Sequence, residues 1–179
     1  MGIDPGTATM GIGCLESDCE SDKLTVAQAF TAIAKDNDPT YSTIAYYHGS
    51  RTGRLMNLSD QLLNVITEYK PHAVVVENNY LRASVEAFRA LVESVCMVRN
   101  TLYQYDSTMP LYTVDPSTVK KLAGVKGKIK GDDKKTAVLE ALRARDDLIW
   151  QVDINAMDEH SVDATAIALY FMKRLLAIN

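Results

Sequence analysis

Residues 2–13 read GIDPGTATMGIG. A short apolar run ends on Asp4, a Pro-Gly pair turns the chain, and a second apolar run follows. The pattern predicts two short strands, MGID (1–4) and MGIGCLES (10–17), joined by the PGTAT turn. Asp4 then has two readings. Aspartate before Pro-Gly is commonly a turn former that bonds its own backbone. Alternatively it is a carboxylate held at a strand end for chemistry.

Working outward, KLTVAQAFTAIA (23–34) follows a charged loop and reads as a third strand, while DNDPTYSTIAYYHGSRTG (36–53) is turn-rich and carries no clear period. From Arg54, the residues Leu55, Leu58, Leu62 and Val65 stand at helical spacing, and Pro71 ends the helix. HAVVVE (72–77) is a valine run of the kind buried on both faces of a parallel pairing. A helix over 84–105 puts Phe88, Leu91, Val92, Val95 and Leu102 on one broad face. PLYTVDP (110–116) reads as a strand and STVKKLAG (117–124) as a short helix begun by Asp115 or Ser117. Two last helices cover DDKKTAVLEALRAR (132–145) and SVDATAIALYFMKRLLA (161–177). Hairpin strands, then strand–helix–strand, then helices predict an α/β domain with a mixed five-stranded sheet flanked by helices.

The length of 179 residues and an apolar content of 47% suit a single domain over 1–179 with a sizeable core. The formal charge is −4, so a nucleic-acid partner needs a local basic patch rather than a basic surface. Cys14, Cys19 and Cys96 have no metal-ligand spacing. Cys14 and Cys19 could pair in an oxidising setting, but the odd count points to a reduced, cytoplasmic protein. The motif begins at Gly2, so no N-terminal signal is expected. The apolar stretch from Asp163 is broken by Lys173 and Arg174 and is too short for a bilayer, so no membrane partner is expected.

Asp4 and Glu77 each end an apolar strand-like run. A carboxylate placed there costs free energy unless a cation, a set of hydrogen bonds or protonation compensates. Ligands also gather at the C-terminal ends of parallel strands. His160 and Asp163 are three apart at a helix start and share a face. On its own, Asp163 is a first-turn acid favoured by the helix dipole, and His160 has no evident role. Together the four could hold one or two hard cations, magnesium or manganese.

Taken in order, GIDPGTATMGIG (2–13), VVVENNY (74–80), VKKLAGVKGK with DKKTAV (119–138) and HSVDATAIAL (160–169) resemble the RuvC family of Holliday junction resolvases, within the ribonuclease H-like superfamily. The likeness runs essentially end to end and weakens only through about 14–56. It implies a homodimer that binds four-way DNA junctions and nicks two opposing strands symmetrically. It also implies that Asp4, Glu77 and Asp163 are catalytic, metal-ligating carboxylates, with His160 where many members carry aspartate and some histidine. Two ions about 4 Å apart would serve a phosphodiester cleavage. An imidazole in place of a carboxylate lowers the negative charge and is expected to favour manganese. Tyr80 falls where the family has an aromatic that stacks on a base at the junction centre; covering a sheet edge is the plainer alternative.

Lys120, Lys121, Lys126, Lys128, Lys130, Lys134 and Lys135 crowd one glycine-punctuated stretch opposed only by Asp132 and Asp133. Such a run is commonly just a solvated face. Here it also matches the family's DNA-binding segment, best at Lys120 and Lys135, although GVKGKIKGDD (124–133) is longer than the usual family loop. The chain has almost nothing before Gly2, where the family usually has several residues. The divergent middle points faintly to a viral or mobile-element version. A nuclease for flaps or forks would share the same residues. GIDPGT also resembles an actin-like ATPase phosphate loop, but a second such loop is missing. A DNA-binding module with a dead site sits poorly with four intact site residues.

Overall fold

A computed structural model describes residues 1–18, 21–35, 38–78, 84–115, 119 and 133–177, with the backbone alone at 133–135. The strands are β1 (Gly2–Asp4), β2 (Thr9–Ser17), β3 (Leu24–Ile33), β4 (Val74–Glu77), β5 (Leu111–Val114) and β6 (Leu148–Trp150). They form one six-stranded sheet in the order β5-β4-β1-β2-β3-β6. β1, β2 and β3 make an antiparallel meander, with a register irregularity between Cys14 and Leu15. β4 and β5 add in parallel beside β1, and β6 adds in parallel beside β3. The sheet is thus mixed, as expected, but has six strands rather than five. The additional strand is β6, whose three residues follow the charged Arg145–Asp147 turn and pair with Leu24–Val26. So short a strand carries no alternation to read, and only its pairing with β3 reveals it.

The helices are α1 (Ser42–His48), α2 (Ser50–Tyr69), α3 (Val85–Tyr105), α4 (Asp133–Arg143) and α5 (Glu159–Leu176). α1 lies in the turn-rich stretch, after a 3-10 turn at Pro39–Tyr41 capped by the Asp38 carboxylate. α2 starts at Ser50, before the first periodic leucine, and stops at Lys70 (φ 45°, ψ 56°), just ahead of Pro71. α3 begins where the Ser84 hydroxyl accepts the Ala87 N–H, an N-cap that satisfies an otherwise orphaned donor. Of the predicted helix over 117–124 only Val119 is described; it is helical and buried.

Alternation along the strands divides the core into two layers. Ile3, Met10, Ile12, Val74 and Val76 pack with Leu58, Leu62 and Ile66 of α2 and Val95, Val98 and Leu102 of α3. Val75 points the other way and packs with Val162, Ile167 and Leu169 of α5 and with Val138 and Leu142 of α4. Successive strand residues face opposite sides, so Gly2, Asp4, Gly11 and Gly13 share the α5 side, opposite Ile3, Met10 and Ile12.

Two of those glycines explain how closely α5 lies against the sheet. A Cβ on Gly2 would stand 2.2 Å from the Ala164 carbonyl oxygen, and one on Gly11 would stand 2.0 Å from that of His160. Only hydrogen fits at either point. Small residues on the strands and on the helix therefore set the first turn of α5 directly over the end of β1.

Candidate active site

Asp4 is the last residue of β1, and its chain leaves the sheet through Pro5–Ala8. That loop is held from two sides. Ala34 N–H donates to the Ala8 carbonyl at 2.8 Å, and Arg54 Nε of α2 donates to the Thr7 carbonyl at 3.1 Å. Next to β1, Gly2 pairs with Val75 and Ile3 with Val76 of β4. Continuing that parallel register by one residue sets Asp4 beside Glu77. Both lie on the α5 side, Glu77 because it shares a face with Val75. Adjacent strands run about 4.8 Å apart, so two carboxylates sit side by side at the C-terminal ends of neighbouring parallel strands.

α5 brings the third element. Its N-cap is Asp158, whose carboxylate accepts from Ser161 N–H at 3.0 Å and Ser161 Oγ at 2.8 Å. The same carboxylate oxygen accepts from Thr31 Oγ1 of β3 at 2.5 Å. One aspartate thus caps the helix and fastens it to the sheet. Burial works against its charge, but the hydrogen bonds from Thr31 and Ser161 outweigh that and hold its carboxyl below the usual range.

Two residues on, His160 Nδ1 stands 2.8 Å from Asp4 Oδ2, and its Nε2 stands 3.1 Å from Thr9 Oγ1. The imidazole is therefore clasped between the two strands of the opening hairpin. The Asp4 hydrogen bond raises the His160 pKa above its ordinary value; burial opposes this, and the Asp4, Glu159 and Asp158 charges reinforce it. Asp163 lies one turn further along α5 and is half-buried.

The structure thus brings Asp4 and His160 into direct contact and places Glu77 and Asp163 on the same side of the sheet. Among the described residues, no three of the histidine, cysteine, aspartate and glutamate side chains form a group that could hold a metal ion. The donor chemistry nevertheless fits a hard divalent cation: three carboxylates beside one imidazole, on a face where Asp158 and Glu159 add further negative charge. Tyr80, Lys120, Lys121, Lys126, Lys128 and Lys130 lie outside the described residues, as does Cys19. Lys134 and Lys135 fall in the first turn of α4, where the backbone alone is described. No described helix is long and apolar enough to cross a membrane.

Three participants escape the sequence reading: Thr9, Thr31 and Asp158. Asp158 had a signal, since an aspartate just before a helical stretch, with an acid such as Glu159 in the first turn, is an N-cap pattern. Thr9 had a weaker one, its even spacing from Gly11 and Gly13 along β2.

No protein-family model matches the chain. Among solved structures, Thermus thermophilus RuvC in complex with a Holliday junction substrate superposes with a TM-score of 0.67 at 20% identity, over 97% of this chain and 93% of that one. The fold is that of the RuvC resolvases. The yeast mitochondrial Holliday junction resolvase Ydc2 matches at a TM-score of 0.62 and 18% identity, over 96% of this chain and 76% of that one. The fowlpox virus resolvase, solved with Holliday junction DNA, matches at 0.57 and 11% identity, over 98% and 97%. The RuvC fold thus extends from the opening hairpin to α5, across the divergent stretch 14–56 as well.

Proposed function

We propose that this chain is a metal-dependent endonuclease that resolves four-way DNA junctions by nicking two opposing strands symmetrically. The observation that carries the reading is the placement of Asp4 and Glu77 at the ends of adjacent parallel strands, with His160 of α5 bonded to Asp4. The likeness to resolvases solved with junction DNA supports the substrate class.

Asp4, Glu77, His160 and Asp163 would hold one or two magnesium or manganese ions, which supply an activated water and stabilise the leaving 3′ oxygen. The chain's own groups do the rest. Asp4 orients the imidazole, and Asp158 and Thr31 fix the helix end that carries it. Tyr80, three residues beyond Glu77, stacks on an unpaired base at the junction centre, worth about 1–3 kcal/mol per base. Lys120, Lys121, Lys126, Lys128, Lys130, Lys134 and Lys135 contact phosphates and hold the junction's arms.

Two copies are needed for symmetric nicks, and α3 supplies a face for pairing. One face of its second half, Ser94, Val95, Met97, Val98, Thr101 and Leu102, is buried, whereas Phe88, Leu91 and Val92 of the first half are half-buried and Val85 is 78% exposed. We assign the homodimer contact to this first half.

The test is cleavage of a synthetic four-way junction beside linear duplex and flap DNA, with magnesium or manganese, for wild type and Asp4→Asn. Paired nicks at symmetric positions that require metal and vanish in the variant are expected. Equal cutting of flaps would move the reading to a general branched-DNA nuclease. Tight junction binding without cutting would remove the catalytic claim.

A further inference from the structure

We infer that Arg54 of α2 is a positioning residue for the active site, tying down the turn that follows Asp4 and so keeping the last pair of β1 closed; this rests on the nuclease reading above. The observation is a charged side chain at the head of an apolar row. Arg54, Leu58, Leu62 and Ile66 recur every four residues along one broad face of α2. The three apolar members are fully buried against the sheet. Arg54 is half-buried, and its Nε donates to the Thr7 carbonyl at 3.1 Å.

The turn needs such a tie because β1 is short. Asp4 opposite Gly11 is its last pair with β2, and its pairs with β4 run to Ile3 opposite Val76. Asp4 therefore stands at the end of the ladder, where pairs open most readily. The turn beyond it folds back tightly on β2, since a Cβ on Gly6 would stand 2.2 Å from the Thr9 carbonyl oxygen. Ala34 N–H holds the far end of the turn at the Ala8 carbonyl. Arg54 holds it at Thr7, from the opposite helical layer.

The helix on which Arg54 stands is itself fixed. Leu58, one turn further on, is wholly buried, and Gln61 Nε2 donates to the Ile33 carbonyl at the end of β3 at 3.1 Å. The bond to Thr7 thus couples the chain beside Asp4 to the rigid core. With that bond removed, the turn is free to swing and the last pair to fray, and the Asp4 carboxylate loses its fixed place beside Glu77. A misplacement of about 1 Å at a reacting centre can cost about 10²-fold in rate.

Two substitutions separate this bond from everything else a guanidinium does. Arg54→Met puts a methyl group where Nε stood, and Arg54→Gln puts an amide N–H donor at the same place along the side chain without the charge. The Thr7 carbonyl carbon is read through the Ala8 amide in ¹³C,¹⁵N-labelled protein, beside thermal melting. Arg54→Met should move that signal upfield, as expected for a lost hydrogen bond, and broaden the Gly6, Thr7 and Ala8 amides. Arg54→Gln should keep it near its wild-type place. In junction cleavage, Arg54→Met should lower kcat about 10–100-fold with KM little changed, and Arg54→Gln should recover most of that loss. Arg54→Ala serves if the methionine variant folds poorly. A wild-type carbonyl signal in Arg54→Met overturns the inference. So does an equal loss in both variants, which would assign the effect to the charge, and so does a rise in KM with kcat unchanged, which would make Arg54 a DNA contact. If wild type cleaves no junction, the nuclease reading falls, whereas the carbonyl signal still decides whether Arg54 holds the turn.

Discussion

Asp4 Oδ2 and His160 Nδ1 meet at 2.8 Å across 156 positions of sequence, joining the end of the first strand to the start of the last helix. Asp4→Asn tests what that carboxylate does beyond the contact. The asparagine carbonyl can still accept the Nδ1 proton, so the fold and junction binding should survive. Cleavage should fall by on the order of 10²-fold or more, the scale that a 1 Å misplacement at a reacting centre already costs. Thermal melting and junction binding are measured beside the nicking rate; a parallel loss of all three would make Asp4 a structural residue.

Gly11→Ala should separate the helix from the sheet. The added carbon would meet the His160 carbonyl oxygen at 2.0 Å, and because that oxygen is backbone, the whole first turn of α5 must shift. The expected cost is about 1–3 kcal/mol in urea unfolding. Cleavage should drop further than stability alone explains, because the shift carries His160 away from Asp4 and Thr9. A variant as stable as wild type would contradict the close contact.

Acid stability should depend on Asp147. Arg145 grips its carboxylate through Nε at 2.8 Å and Nη2 at 2.6 Å, and Lys173 of α5 reaches it at 2.6 Å. The Arg145 hydrogen bonds, against some opposition from burial and with help from Lys173, hold this carboxyl far below the usual carboxylate range. A depressed folded-state pKa contributes stability that is full above about pH 4, the unfolded value, and fades as pH falls towards the folded one. Asp147→Asn should therefore be about 1 kcal/mol less stable than wild type at neutral pH. The gap should close on acidification, which chemical unfolding at stepped pH can follow. A constant gap would mean that packing, not charge, is what the substitution removes.

Junction affinity should fall steeply with salt. Each lysine that neutralises a phosphate contributes about −0.9 to the slope of log K against log salt. Lys120→Ala and Lys135→Ala should each make that slope shallower by about one, with little effect on sequence preference. An unchanged slope would place those lysines off the DNA.

How much of this could be read from the chain alone depended on where each signal lay. The strand ends at Asp4 and Glu77 were legible because a Pro-Gly turn and a valine run are local signals. The third strand was legible despite its alanines, and α3 was placed within a residue of its observed ends. α1 was not, because none of its residues is buried and so it carries no apolar period. β6 was hidden for a related reason: three residues hold no pattern, and only Leu24–Val26 make them a strand. At the site, the sequence named Asp4 and His160 but not their contact, which depends on α5 lying over Gly11. Thr9 was passed over because its one signal, an even spacing from Gly11 and Gly13, begins at the last residue of a turn-like stretch.

β4 has a consequence for how the molecule comes apart. Val74 and Val76 belong to the layer under α2 and α3, and Val75 to the layer under α4 and α5, within four residues that end on Glu77. Loosening of either layer alone leaves this strand clamped by the other. Its amides should therefore exchange with solvent only through global unfolding, among the slowest in the protein. The carboxylate it carries keeps its place for as long as the sheet exists, and partial melting of one helical layer should leave Glu77 where it was.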